Sequence, residues 1–183
     1  MSVVEATNVI PAGTYAADPS HSSVEFGVRH MGLATIRGRA ASVTATLDAT
    51  GDAPVLEGTI DATSLTTHDE QRDGHLTSPE FFDTARYPQM EFRSTGFETA
   101  EDGSLLLAGE LTIKGTTKPV ELRATVTGSG QDPWGNERVG LDVEGTINRH
   151  DFGVSWNAPL PAGGFLLADD VRLFGSFSFV KQA

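Results

Sequence analysis

Residues 105–113 read LLLAGELTI, and the way that run alternates decides the fold class. Leu107, Gly109 and Leu111 fall on one phase while Ala108, Glu110 and Thr112 fall on the other. Successive side chains of an extended chain point to opposite faces, so one face of this strand is apolar and the other mixed. The same period of two recurs upstream in Val24-x-Phe26-x-Val28, in residues 43–47 and in residues 55–60. It continues in the runs from Met90 to Phe97, Val120 to Val126, Val139 to Ile147 and Val171 to Val180, each rich in β-branched or aromatic residues.

Turn-forming clusters separate these runs: TGDAP at 50–54, EDGS at 101–104, KGTTKP at 114–119, SGQDPWGNE at 129–137 and PLPAGG at 159–164. Eight short strands with short connections point to an all-β, mostly antiparallel barrel or sandwich. The connections leave no room for the helical crossovers of a parallel α/β sheet. No fixed-period repeat or linker appears, so residues 1–183 read as a single domain, with 1–13 a loosely ordered N-terminal segment.

Several apolar phases carry a glycine between large neighbours. These are Leu56-x-Gly58-x-Ile60, Leu107-x-Gly109-x-Leu111, Val143-x-Gly145-x-Ile147, Leu173-x-Gly175-x-Phe177 and, more weakly, Ile36-x-Gly38-x-Ala40. Two readings stand. The glycines let a small closed sheet bend, or they leave volume unfilled along a barrel axis that about eight strands make wide enough for one small ligand. Under the second reading the guest is apolar, because the walls are.

Composition removes other classes. The net charge is −12 over 183 residues, the 13 Lys and Arg are scattered, and the nearest thing to a basic patch is Arg37 with Arg39. Phosphate backbones and anionic membrane surfaces are bound by clustered cations, so neither is an expected partner. With no cysteine there is no disulfide, thiolate or Cys-ligated metal site. The N-terminus lacks the cationic and apolar regions of a leader, and no run approaches the ~20 apolar residues of a membrane span. A cytoplasmic protein without stable membrane insertion is the expectation; a secreted chain whose leader had been removed would read the same.

One segment breaks the alternation. Residues 66–76, TTHDEQRDGHL, hold two histidines, three acids and an arginine. Thr67 with Glu70 spells a capping box, and Ser78-Pro79-Glu80 a second helix start, predicting a helical insertion near 68–84 with turns over 68–75 and 79–84. His68, Arg72 and His75 then share a face, and Phe81 and Phe82 pin the second turn against the sheet edge or one barrel end. A metal could sit there, but the His-Glu-x-x-His order is absent and Arg72 would repel it. The competing account pairs Arg72 with Asp73 and has the histidines donate to backbone.

Two further clusters carry a chemical and a plain reading each. Asp18-Pro19-Ser20-His21-Ser22 could be drawn as part of a nucleophilic triad, but adjacent residues of an extended segment point to opposite sides and no Gly-x-Ser-x-Gly elbow is present, so the reading preferred is a turn held by Asp18 and Ser20 before a strand. Asn148-Arg149-His150-Asp151-Phe152-Gly153 reads as a strand end and bend with an Arg149–Asp151 contact.

Five ordered pieces give the chain a family likeness. Asp18-Pro19-x-His21-Ser22 is followed by Phe26-x-Val28-x-His30-Met31, and then by Arg72-Asp73-x-His75-Leu76 with Phe81-Phe82 and Tyr87-Pro88. Leu111-Thr112-Ile113-x-Gly115-x-Thr117-Lys118-Pro119 and Ile147-Asn148-Arg149-x-Asp151-Phe152-Gly153 complete the set. Together, from about residue 14 to 180, they resemble the YceI-like family. The resemblance implies a lipocalin-like, elongated antiparallel β-barrel with a small helical insertion, binding a polyisoprenoid or similar long-chain amphiphile in a deep apolar pore. Many members are secreted and often carry Trp near the first strand, where this chain has Thr14-Tyr15.

The resulting expectation is a non-enzymatic carrier of a long-chain isoprenoid lipid or quinone-like amphiphile, without cofactor, metal or nucleic acid, and compatible with a homodimer. Its lumen is expected to be lined by Val24, Phe26, Val28, Phe92, Leu107, Gly109, Leu111, Leu122, Val143, Ile147, Leu173 and Phe177, with Trp156 and Phe165 at a mouth. Arg72, His75 and Arg149 are the candidates to meet a polar head group. A one-residue error of phase in any strand would invert its assignment. Two competing readings are a metal-assisted hydrolase using His21, His30, His68, His75 and Asp73, and a β-sandwich interaction module with a filled core.

Overall fold

A computed structural model describes residues 10–183. The strands are β1 (Thr14–Ala17), β2 (Ser23–His30), β3 (Ala34–Ala40), β4 (Val43–Asp48), β5 (Val55–Asp61), β6 (Leu65–Thr66), β7 (Gln89–Thr99), β8 (Leu105–Ile113), β9 (Thr116–Gln131), β10 (Glu137–Asn148) and β11 (Leu167–Lys181). One helix, α1 (Glu70–Thr77), lies between β6 and β7. Residues 1–9 of the predicted N-terminal segment lie outside the described residues. Residues 10–13 do not behave as a loose tail: Ile10 is fully buried, and the Tyr15 hydroxyl donates to the Pro11 carbonyl at 2.8 Å.

The sheet order β1-β4-β5-β7-β8-β9-β10-β11 returns from β11 to β1, closing an eight-strand antiparallel barrel. Closure leaves no exposed sheet edge around that ring. β11 is long enough to take two partners end to end. Its last residues pair with β1 (Ala17↔Phe179 to Tyr15↔Lys181), and its earlier part pairs with β2 (Val24↔Gly175 to His30↔Leu167). β3 pairs along β2 and then meets β6 at Arg39↔Thr66 and Ala40↔Leu65. β2 and β3 thus raise one side of the wall above β1 and β4.

Between β1 and β2 the chain turns at the Asp18 cluster, and the plain reading of that cluster holds. Ser20 N–H donates to the Asp18 carboxylate at 2.9 Å, and His21 Nδ1 lies 2.8 Å from its other oxygen. Arg138 bridges Asp18 at 2.9 Å and Asp132 at 2.8 Å, tying this turn to the β9–β10 hairpin. The hydrogen bonds from His21 and Arg138 hold the Asp18 carboxyl down to about 2.

The barrel is solid at its base. Ile10, Tyr15, Leu47, Phe97, Leu105, Leu107, Leu141, Val139 and Phe179 pack there as one buried cluster. A second apolar cluster, including Ala62, Leu65, Phe81, Met90, Ile147, Phe152 and Val154, surrounds the upper part.

The predicted strands form; β3 was marked only by its weaker Ile36-x-Gly38-x-Ala40 phase, and the short β1 and β6 went unread. β9 runs on to Gln131, five residues past the expected end, because Asp132 draws the reversal tight by accepting the N–H groups of Trp134 and Asn136. The helical expectation needs correction. The α1 cap is Asp69, accepting Arg72 N–H at 2.9 Å, and not Thr67. His68 precedes the helix with φ 61°, off the face it was expected to share. Residues 79–84 are a chain of turns, because Asp83 takes φ 48° and ends any helical run.

Candidate functional site

Above the filled base the barrel encloses two adjoining chambers. The lower, of about 150 Å³, is lined by side chains including Ala45, Leu56, Phe92, Leu111, Leu122, Val143 and Phe177. Its floor is the step where Phe177 stacks on Phe179 at 5.4 Å between ring centres. The upper, of about 130 Å³, is lined by Phe26, Val28, Leu76, Phe81, Phe82, Ile147, Phe152, Val154, Leu167 and Val171 among others. Val24, Ile60, Met90, Ile113 and Leu173 line both, and so form the neck between them. Met90 is the adaptable member of that neck, an unbranched chain with three rotatable bonds.

The glycines define the wall's thickness. Phe26 lies over Gly38, Phe92 over Gly109, Leu122 over Gly145 and Phe177 over Gly175, each filling the place where a Cβ would stand. A Cβ at Gly109 would come within 2.5 Å of the Phe92 ring and 2.7 Å of the Arg93 carbonyl oxygen. These four glycines therefore do not leave their own volume empty, whereas at Gly58 no side chain fills the place and the backbone itself lines the lower chamber. The four are notches into which large side chains fold flat against the sheet, and the flattening keeps the axis open. Both readings of the glycine pattern are partly realised, curvature and lumen together.

Most of the expected lumen residues converge. Val24, Phe26, Val28, Phe92, Leu111, Leu122, Val143, Ile147, Leu173 and Phe177 line one chamber or both. Leu107 is fully buried in the base and lines neither, and Gly109 lies under Phe92. Trp156 packs outside the chambers, 4.8 Å from His75 and 5.4 Å from Phe81 between ring centres. Phe165 stands out from the upper loops. Ile60, Met90 and Ile113 were readable as the same apolar phases one step further along. Phe152 and Val154 belong to an aperiodic loop and gave no such signal.

Arg149 closes the upper chamber. It opens a short 3-10 turn after β10, and its side chain is buried where Ile147, Phe152 and Val154 meet. The expected contact with Asp151 is replaced by backbone bonds: Nε donates to Ala168 O at 2.9 Å, and Nη1 donates to Val154 O and Trp156 O, each at 2.8 Å. Nη2 is buried without a hydrogen-bond partner among the described residues, 3.9 Å from Asp169. Burial lowers the guanidinium pKa, and Asp169 acts the other way.

The histidine-rich segment that looked like a reaction centre is a clasp. Asp73 does not pair with Arg72 as expected. It accepts from Thr66 Oγ1 at 2.9 Å, Thr67 N at 2.8 Å and Thr67 Oγ1 at 2.6 Å, while Arg72 donates to Thr67 Oγ1 at 2.6 Å and Thr67 O at 3.0 Å. Burial works to raise the Asp73 pKa, but these threonine bonds and Arg72 outweigh it and leave it lowered. His75 Nε2 meets Glu80 at 2.6 Å, and its ring sits edge-on to Phe81 at 4.8 Å. Among the described residues no three His, Asp or Glu side chains converge on one point. Asp73→Asn removes one acceptor oxygen from this clasp and is expected to lower stability by about 1.5 kcal/mol in urea denaturation, with the chambers unaffected.

Comparison with known proteins follows the same outline. The YceI-like domain model matches residues 15–179. The protein YceI of Escherichia coli O157:H7 is 38% identical over 138 residues, covering 73% of this chain and 71% of that protein. A UPF0312 protein of Pseudomonas syringae pv. tomato is 33% identical over 153 residues, covering 81% and 80%. Among solved structures, the Campylobacter jejuni YceI protein superposes with a TM-score of 0.72 at 26% identity, over 85% of this chain and 90% of that one. Burkholderia cenocepacia BcnA gives 0.74 at 24% identity, over 91% and 99%. A polyisoprenoid binding domain from Saccharophagus degradans gives 0.67 at 13%, over 94% and 100%, a likeness of fold. With its closed eight-strand barrel, notched walls and family match across nearly all the described residues, the chain belongs to the YceI-like family.

Proposed function

We propose that this protein binds and carries a long-chain amphiphile of the polyisoprenoid type, with its apolar tail in the two chambers and its polar end near Arg149. The observation that carries the reading is the pair of adjoining chambers walled by aliphatic and aromatic side chains. Such a space favours a guest that is itself apolar along its length, at ~0.8 kcal/mol for each CH₂ removed from water. Repeated methyl-branched units suit it, because successive branches can settle between flattened rings. A tail spanning both chambers turns the Met90 side chain aside at the neck.

Arg149 is the cation among the residues that line the upper chamber, and that supports the placement of the polar end. The chemistry asked of the protein is burial and release, and no bond is broken. Mass spectrometry of an organic extract, made from protein purified without detergent, tests this. A long-chain lipid near one per chain is expected. An empty extract from protein that retains one equivalent of zinc or iron through dialysis would overturn the reading in favour of a hydrolase.

A further inference from the structure

Four large apolar side chains are exposed among the described residues: Met31 at 44%, Leu33 at 77%, Phe165 at 65% and Trp134 at 82%. Trp134 tips the β9–β10 hairpin at the filled base. The other three share the opposite rim, on two loops joined by the Met31 N–H bond to the Leu166 carbonyl at 2.7 Å. Scattered exposed apolar residues are ordinary on a soluble protein, but a contiguous group beside a cavity is not.

Three features of this rim point the same way. Residues 152–168, FGVSWNAPLPAGGFLLA, form the longest stretch of the chain without a charged side chain, in a protein of net charge −12. Within it, residues 157–167 form a small hairpin through the Pro159↔Phe165 bridge and the Leu166 N–H bond to Ala158 O. The β2–β3 reversal is a three-residue loop, Met31 to Leu33, with Met31 at φ 55° and Gly32 at φ 69°, closed by Leu33 N–H to His30 O at 3.0 Å. Asn or Gly suits the first of those positions, and a methionine there accepts left-handed strain without gaining burial. Finally, the rim is continuous with the lumen, since Leu167, next to Leu166, lines the upper chamber.

We infer that this rim, with Met31, Leu33 and Phe165 as its leading side chains, is a docking surface for an uncharged, zwitterionic phospholipid bilayer, across which the tail passes between membrane and upper chamber. The inference rests on the carrier reading above, since a long-tailed guest resides in bilayers and must cross an apolar junction to enter the barrel. Charge chooses the membrane. The cation at this turn, Arg29, is engaged by the Gly32 carbonyl at 2.8 Å and Thr35 Oγ1 at 3.3 Å, Asp169 and Asp170 flank the rim, and the whole chain is acidic, so an anionic surface is disfavoured. Shallow insertion of a few apolar side chains gives reversible attachment suited to collecting and releasing cargo.

The test compares the full chain with Met31→Asp/Leu33→Asp, two exposed positions outside both chambers; aspartate also tolerates the left-handed turn. Flotation with phosphatidylcholine vesicles reads docking alone, and the rate of transfer of a fluorescent prenol between such vesicles reads delivery. The variant is expected to lose at least about tenfold in both, while farnesol bound at equilibrium in dilute detergent stays unchanged. Replacing half of the phosphatidylcholine with phosphatidylglycerol at low salt should weaken flotation of the natural chain. A natural chain that does not float with phosphatidylcholine, or a variant that floats and transfers equally well, overturns the docking surface. Failure of the natural chain to bind farnesol counts against the carrier reading instead, with flotation still reporting on the rim.

Discussion

Arg149→Met is expected to lower the unfolding free energy by about 3–5 kcal/mol and to free the loop that closes the upper chamber. Three carbonyls, from Val154, Trp156 and Ala168, rely on this guanidinium, and a buried acceptor left without a donor costs about 1–3 kcal/mol. Methionine keeps most of the side-chain volume, so the loss is in hydrogen bonding and not in packing. Urea denaturation reads the stability. Limited proteolysis reads the loop, with new cleavage near Phe165 in the variant only. Arg149→Lys should recover part of the stability, because a single ammonium cannot span three carbonyls with the geometry of a planar fork. An Arg149→Met midpoint equal to that of the natural chain would show that the loop is held by other contacts, such as Asn157 Nδ2 to the Leu167 carbonyl.

Gly109→Leu is expected to abolish most lipid loading and to destabilise the barrel by about 1–3 kcal/mol, the range for overfilled cores. The new Cβ meets both the Phe92 ring and the Arg93 carbonyl, so the ring has to swing off the wall and into the lower chamber. Stoichiometry of bound farnesol, compared with the unfolding midpoint, separates the two effects. A Gly109→Ala/Phe92→Ala pair removes the ring that the smaller side chain would strike, and should regain loading above that of Gly109→Leu. If Gly109→Leu folds and loads like the natural chain, the notch does not set the width of the lumen.

The strand pattern was legible because alternation survives wherever one face of a strand is apolar, and the chamber list follows from it. Ten of the expected lining positions converge for that reason alone. What alternation cannot convey is depth. Leu107 and Leu111 share a phase, yet one is locked in the base and the other faces the lower chamber, a difference set by how Tyr15, Phe97 and Phe179 fill the bottom of the barrel. Nor can spacing tell a catalytic cluster from a clasp. Asp73, Arg72 and Thr67 acquire their roles from a backbone turn at His68 that no periodicity announces. Arg149 was singled out by the resemblance, but its three carbonyl partners lie in a loop whose course the sequence leaves open.

The two-partner arrangement of β11 bears on how the chain reaches its folded state. Its pairings with β1 and β2 join positions such as Ser22 and Ser178, whose hydrogen bond spans 156 residues of sequence. Contacts of that range form late and slowly, because the entropy of closing so large a loop must be overcome before they can form. During synthesis, β2 and β10 present open edges until residues 167–181 emerge. Closure of this barrel therefore waits for β11, and the intermediates that precede it are the stage at which edge-to-edge association competes with closure.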